Sequence, residues 1–143
     1  MITNFENETA PLNELEQKAA AIIADGMMRW HTGKDKVISS DAICKWLAKN
    51  YECFRIQQGN GGYKPYLNGA RIRKIINRIR MENLVPLLVS SREGYYVATD
   101  ATEVRDYIRS LKERASAITA VSQALTRQFR EQFADNPIAT MEI

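Results

Sequence analysis

The sequence predicts a mainly helical α+β fold, and three observations carry this prediction. Three stretches within the first 82 residues place apolar side chains at three- and four-residue spacing, which is typical of amphipathic helices. Two short runs rich in Val, Leu and Tyr follow, separated by a turn sequence, and they indicate a β-hairpin. The longest helical pattern of the chain comes last and extends over about 30 residues.

Length and composition indicate one ordinary domain with an appendage. The chain has 143 residues, of which 45% are hydrophobic and 26% are charged, as expected of a globular protein. No stretch approaches the roughly 20 apolar residues of a membrane-spanning helix, and the acidic N-terminus lacks the basic region of a secretory signal. We therefore expect a cytoplasmic protein.

Cysteine and histidine are too few to suggest a redox or metal centre. Cys44 and Cys53 lie on segments of different character without a CxxC pattern, and His31 is the only histidine. The acidic residues are scattered, and no two of them are spaced like a general acid and a general base. We expect no catalytic residue, no metal or other cofactor, and no small-molecule ligand.

Two amphipathic helices are expected before the middle of the chain. The first covers residues 13–31 and opens with Asn13 and Glu16, which have the spacing of a capping box. The second begins at Ser39 or Ser40, because either hydroxyl can cap it, and is about ten residues long.

An insertion of 16 residues, 51–66, separates the second helix from the third. Its centre, residues 57–62, is rich in Gln and Gly and cannot continue a regular element without cost, so it is expected to be a loop. Aromatic residues flank the glycines on both sides. They indicate either an ordered flap or an extra strand beside the later hairpin.

The third helix is expected over residues 68–82, because isoleucines recur there at positions i, i+3, i+4 and i+7. Its opposite face is polar and basic, since residues 67–80 contain five basic residues and no acidic one. The isoleucines of the stripe are Ile72, Ile75, Ile76 and Ile79.

A hairpin and a long helix complete the prediction. Val85–Val89 and Tyr95–Ala98 are the expected strands, and the residues between them form the expected turn. Asp100 and Glu103 resemble another capping box and open a helix that continues to about Phe133. The residues after it show no periodicity and are expected to form a loose tail.

Three helices, a hairpin and a further helix follow one another in the order of a winged helix-turn-helix, whose third helix enters the major groove of DNA. Lys and Arg neutralise phosphates, and Asn and Arg pair with base edges. The sequence therefore predicts binding of double-stranded DNA. The candidate DNA-binding residues are Ala70, Arg71, Arg73, Lys74, Asn77, Arg78, Arg80, Ser90, Ser91 and Arg92.

The contact expected of each candidate, to a base edge or to a phosphate, depends on its position in the predicted helix or hairpin. Base-edge contacts are expected from Arg73, Lys74 and Asn77, on or beside the face opposite the isoleucines. Phosphate contacts are expected from the flanks of the helix and from the hairpin. A basic helix face can also be merely solvated, but a solubility face normally mixes both signs of charge. The residues expected to contact phosphates are Arg71, Arg78, Arg80, Ser90, Ser91 and Arg92, of which Arg92 could reach the minor groove instead.

The run VPLLVSSREGYYVATDATEVRDYIRSLKERASAITAVSQAL resembles the wing and C-terminal helix of winged-helix proteins encoded by bacteriophages and related mobile elements. The resemblance covers roughly residues 38–130. It is carried by Ile72 to Ile79, by SSREGYYVATD in the wing and by EVRDYIRSL in the last helix. It implies DNA binding in phage replication or regulation and no enzymatic activity. The insertion of 16 residues departs from the usual short turn between helices two and three.

The last helix carries an apolar seam with nearly heptad spacing. The seam can pack against its own domain or against the same helix of a second copy. A helix of about 30 residues extends roughly 45 Å, more than so small a domain covers, which favours a homodimer. The expected interface residues are Val104, Ile108, Leu111, Ala115, Ile118, Leu125 and Phe129.

The expected organisation is thus a winged-helix DNA-binding domain over 1–100 with its insertion at 51–66, a dimerisation helix over 101–134 and a flexible tail over 135–143. The expected function is non-catalytic DNA binding, as a phage or mobile-element regulator or as a replication accessory protein. The alternative is a protein–protein interaction module that uses the winged-helix body and the last helix.

Overall fold

The computed structural model describes residues 10–140 and confirms a mainly helical α+β fold. The chain divides into two compact units between Val104 and Arg105. The helices are α1 (Glu14–Trp30), α2 (Ser40–Asn50), α3 (Gly69–Met81) and α4 (Ala101–Gln132). The strands are β1 (Arg55–Gln57), β2 (Tyr63–Pro65), β3 (Leu88–Ser91) and β4 (Gly94–Val97), and short 3₁₀ helices lie at Lys34–Lys36, Glu52–Phe54 and Pro137–Thr140.

Side-chain caps fix where the first three helices begin. The predicted capping box of α1 is confirmed: the Oδ1 of Asn13 accepts from the backbone N–H of Glu16 at 2.8 Å, and the Oε1 of Glu16 accepts from that of Asn13 at 2.9 Å. Ser39 caps α2 and Asn68 caps α3 with one hydrogen bond each, because the side-chain oxygen accepts from the backbone N–H three residues later. Each cap satisfies backbone donors that the first turn of a helix leaves unpaired.

The isoleucine stripe of α3 forms the centre of the hydrophobic core, as predicted. Its four isoleucines are fully buried, and α3 contacts both α1 and α2. Met27 and Leu47, one from each of these helices, belong to the same core cluster. Burying one such side chain contributes roughly 1.5–3 kcal/mol, so the stripe orients α3 firmly against the core.

Two separate antiparallel hairpins lie before and after α3. β1 pairs with β2, and β3 pairs with β4. The first hairpin falls within the insertion and forms its own sheet, so of the two predicted alternatives it is closer to an ordered flap than to a strand beside the second hairpin. The segment before α2 contacts the second hairpin, because Ile38 and Tyr95 exchange two backbone hydrogen bonds of 3.0 and 2.8 Å.

The second hairpin is displaced from its predicted position by up to three residues. Its strands begin at Leu88 and Gly94, and the turn between them contains only Arg92 and Glu93. Pro86 offers no N–H to a strand, and Leu87 has a φ of 59°, which breaks the extended backbone. The predicted strand start at residue 85 was therefore wrong, and the serines assigned to the turn lie in β3.

Helix α4 begins and ends close to its predicted limits, but its start is built differently. Asp100 accepts from the backbone N–H of Thr102 at 2.9 Å, whereas Glu103 accepts at 2.6 Å from the hydroxyl of Tyr96 instead of closing a capping box. Burial, followed by the hydrogen bond and charge of Glu103, raises the pKa of Tyr96 to about 12, so this hydroxyl stays a donor.

The end of the chain differs from the predicted tail, since Pro137–Thr140 form a 3₁₀ helix. The last three residues of that predicted tail lie outside the described residues. Within residues 10–140 we found no helix with both the length and the apolar character needed to cross a membrane.

Candidate nucleic-acid interface

Positive charge is concentrated in one continuous part of the chain. Between Glu52 and Glu82 the sequence contains seven basic residues and no acidic one. This stretch builds the β1–β2 hairpin and α3, so any acidic partner of its basic residues comes from another part of the chain. The basic residues are Arg55, Lys64, Arg71, Arg73, Lys74, Arg78 and Arg80.

A buried carboxylate binds two of the predicted DNA-contacting cations. The Nζ of Lys74 lies 2.8 Å from Oε1 of Glu16, and the Nη1 of Arg71 lies 3.3 Å from Oε2. The side chain of Glu16 is fully buried, that of Lys74 is 15% exposed and that of Arg71 is 36% exposed. These cations therefore face α1 of their own chain, and their contact with DNA stays a prediction.

The ion pairs keep Glu16 charged inside the protein. Burial alone raises the pKa of its carboxyl, but the hydrogen bond from the backbone of Asn13 and the hydrogen bond and charge of Lys74 act in the opposite direction. The charge of Arg71 adds to them, and the pKa of Glu16 is lowered from its ordinary value. A charged carboxylate buried with its partners holds the first turn of α1 against the flank of α3.

Sequence reasoning recognised Glu16 only as a capping residue. The missed signal is its position: it lies three, four and seven residues before Ala19, Ala20 and Ile23, which are all buried on the same helix face. An acidic residue on an apolar stripe, in a chain with an excess of basic residues, indicates a buried ion pair.

Tyr66 gives Arg71 a second attachment. The guanidinium lies over the ring of Tyr66, with its Cζ 4.6 Å from the ring centroid, and the hydroxyl of Tyr66 accepts from the side-chain amide of Asn13 at 3.1 Å. Arg71 is thus held by an aromatic ring as well as by Glu16, and the end of the β1–β2 hairpin is joined to the start of α1.

Arg80 links α3 to the second hairpin. Its guanidinium donates to the carbonyl of Leu88 at 2.7 Å, to Oδ1 of Asn77 at 3.0 Å and to the hydroxyl of Ser90 at 2.8 Å. Three predicted DNA contacts, Asn77, Arg80 and Ser90, therefore come together in one hydrogen-bonded network inside the protein. The network fixes the angle between the helix and the hairpin.

Other predicted contacts lie at the surface. Arg73 and Arg92 are exposed, on the outward side of α3 and in the turn of the second hairpin respectively. Arg78 is about one-third exposed and forms an i,i+4 ion pair of 3.3 Å with Glu82. Ala70 is half-buried, and the exposed Ser91 accepts from the backbone of Glu93.

We compared the chain with protein-family models, with curated proteins and with solved structures, and none of them matched.

Proposed function

We propose that this protein binds double-stranded DNA without catalysing a reaction, with α3 in the major groove and the β3–β4 hairpin as a wing beside it. The observation that carries the proposal is the acid-free stretch of seven basic residues, whose helix presents Arg73 at the surface next to a hairpin with Arg92 in its turn. Such a surface attracts the phosphate backbone and releases its counterions.

The assignment to the winged helix-turn-helix class is part of this proposal. The element order supports it, as do the backbone bonds between Ile38 and Tyr95, which add a third extended segment to the wing. A scaffold of this kind holds the third helix and the wing on one side of the molecule.

The contacts suggest a division of labour among the basic residues. We assign Arg73 to base edges, and Arg78 and Arg92 to phosphates, because these side chains retain surface exposure. Asn77 is half-buried and its Oδ1 accepts from Arg80, so we assign it to positioning α3. Arg80, like the two cations bound to Glu16, we assign mainly to holding α3 in position. This is a refinement of the sequence-based hypothesis, in which every one of them was a direct DNA contact.

Fluorescence anisotropy with a labelled mixed-sequence duplex at two salt concentrations tests the proposal. The affinity of the wild type should fall steeply as salt rises. On this duplex Arg92→Ala should weaken binding and reduce its salt dependence, as expected for the loss of a phosphate contact. On a duplex selected for tight binding, Arg73→Ala should weaken binding about 5- to 150-fold, as expected for the loss of a base-edge contact of roughly 1–3 kcal/mol.

Arg29→Ala is the matched control. Arg29 is an exposed arginine on α1 in an ion pair with Asp25, so its removal takes away the same charge outside the proposed surface. Binding that is absent in the wild type, or insensitive to salt, would reject the proposal.

The biological setting is proposed from the sequence resemblance alone: a regulator or a replication accessory protein of a phage or mobile element. Selection of bound duplexes from a random pool would separate these roles. A symmetric operator-like site favours regulation, and a repeated array favours origin marking.

We further propose that two copies pair through α4. No described residue of α4 is buried, and its seam exposes large apolar side chains, with Ile108 46%, Leu111 43% and Leu125 58% exposed. The helix has 32 residues and is about 48 Å long, which gives the seam enough length for a coiled-coil pair.

Substitution on the seam tests the pairing. We expect the wild type to sediment as a dimer at tens of micromolar, roughly the range of weak dimers, and Leu111→Glu with Ile118→Glu to sediment as a monomer. Ala120→Glu adds a charge on the opposite face of α4 and should leave the dimer intact. A monomeric wild type would contradict this part of the proposal.

One observation favours the alternative of a protein-interaction module. An apolar groove of about 70 Å³ lies between α1 and α2, and it is flanked by Trp30 and Trp46, which are 56% and 41% exposed. The groove is smaller than the roughly 300–1,000 Å³ of typical small-molecule sites, so it suits a partner's side chain better than a cofactor. A folded protein without affinity for DNA would favour this alternative.

A further inference from the structure

The β1–β2 hairpin is anchored firmly at its base. Arg55 donates to the carbonyls of Ala48 at 2.6 Å and Lys49 at 3.0 Å, at the C-terminal end of α2. Phe54 is fully buried just before β1, and its carbonyl accepts from the backbone N–H of Tyr66 at 2.8 Å, just after β2. These contacts make the insertion a fixed projection from the core, not a loose loop.

The tip of this hairpin is exposed, uncharged and rich in amides. Residues 57–61 are all exposed, and among them Gln57, Gln58 and Asn60 carry primary amides, which both donate and accept hydrogen bonds. Backbone bonds from Gln58 to Gly62 and from Gly61 to Gln58 close the turn. A β-carbon built on Gly59 or Gly61 would meet no atom within 4 Å, so the tip is thin and open on both sides.

The hairpin also stands at a defined place relative to α3. β2 ends at Pro65 and α3 begins at Gly69, so the hairpin leaves the N-terminal end of the helix, whereas the β3–β4 hairpin follows its C-terminal end. The 13 residues of α3 span about 20 Å, close to the width of a DNA duplex. A helix in the major groove would thus have one hairpin near each of its ends.

We propose that the β1–β2 hairpin is a second DNA-contacting element and that its tip enters the minor groove flanking the major groove occupied by α3. This inference rests on the proposed DNA binding. The minor groove is only about 6 Å wide and presents N3 and O2 acceptors at A·T pairs, which amide N–H groups can reach from a thin glycine-containing tip. Lys64, exposed on β2, supplies a cation for the adjoining phosphates.

The amide side chains of the tip favour contact with base edges over phosphate binding or protein docking. A purely phosphate-binding loop would carry charge, and a protein-docking loop would carry large apolar groups at its apex. Here the apex residues 57–62 contain neither, and the exposed Ile56 and Tyr63 lie on the strands beside the apex. The hairpin is also part of the same acid-free stretch as α3, so Arg55 and Lys64 place positive charge on its strands behind the uncharged tip.

The test compares two duplexes and two proteins. The probe is a labelled A·T-rich duplex, used unmodified or with each adenine replaced by 2,6-diaminopurine, which adds an amino group to the minor groove and leaves the major-groove pattern intact. The variant combines Gln57→Ala, Gln58→Ala and Asn60→Ala. We expect diaminopurine to weaken wild-type binding about tenfold, and to change binding of the variant less than about twofold.

Gln123→Ala, which removes an exposed amide of α4 away from its apolar seam, is the control and should behave as the wild type. If the wild type binds and the hairpin variant matches it on both duplexes, the inference is wrong while the proposed function stands. If diaminopurine affects wild type and variant equally, the tip does not read the minor groove. A wild type that binds neither duplex overturns the proposed function and this inference together.

Discussion

Gly94→Ala is expected to lower the free energy of unfolding by about 3 kcal/mol or more, because the new methyl group has no room and the backbone has no freedom. Gly94 has a φ of 138°, which side chains other than glycine rarely adopt. Its β-carbon would overlap the carbonyl group of Ile38 and lie 2.8 Å from the Cα of Ser39. Relief by movement of Ile38 would break its backbone bonds to Tyr95.

Urea denaturation followed by circular dichroism measures this effect. Gly59→Ala is the matched control, because the β-carbon at position 59 meets nothing within 4 Å, and it should change the free energy of unfolding by less than about 0.5 kcal/mol. Equal stability of the two variants would show that the second hairpin does not approach residue 38 as described. The Gly94 variant should also bind DNA more weakly, since the wing can no longer seat beside α3.

Glu16→Gln is expected to cost about 3 kcal/mol near neutral pH, because it removes the partner of two cations from a buried position. Glutamine can still accept the backbone hydrogen bond of Asn13, so the variant isolates the effect of the charge. Asp25→Asn, which removes a carboxylate from an exposed i,i+4 pair with Arg29, is the control and should cost less than about 0.5 kcal/mol.

The stability that the Glu16 carboxylate contributes should depend on pH in one direction. Its pKa is lower in the folded chain than its ordinary value of 4.5, so the unfolded chain takes up this proton first as pH falls. This contribution to stability is fully present above pH 4.5, and it is lost as the pH falls through the pKa of Glu16 in the folded chain. Wild type and Glu16→Gln should therefore converge in acid, and a difference that persists there would contradict the ion-pair explanation.

The places of the helices, and the capping residues of the first two, could be read from the sequence because their determinants are local. The capping pair Asn13 and Glu16 and the isoleucine stripe each depend on residues within two turns of one another. The outward direction of Arg73 follows from the same periodicity. This is why the approximate place of α3 and the exposure of Arg73 were predictable.

The remaining features depend on residues far apart in the chain, or on single backbone angles. Nothing near Lys74 in sequence shows that its ammonium lies against Glu16, because 58 positions separate the two (74 minus 16). The start of β3 depends on Pro86 and on the positive φ of Leu87, and a leucine is not expected to adopt that angle. The two-stranded pairing of the insertion likewise needed contacts with α2 that periodicity does not report.

The pairing of some cations with Glu16, and the exposure of others, has a consequence for engineering. A library that randomises Ala70, Arg73 and Met81 changes side chains that contribute little to the core, so most of its members should still fold and would sample new DNA preferences. A library that includes Arg71 or Lys74 would lose many members to misfolding before selection begins. The DNA preference of this protein can therefore be varied through a few residues of α3 without lowering the stability of the fold.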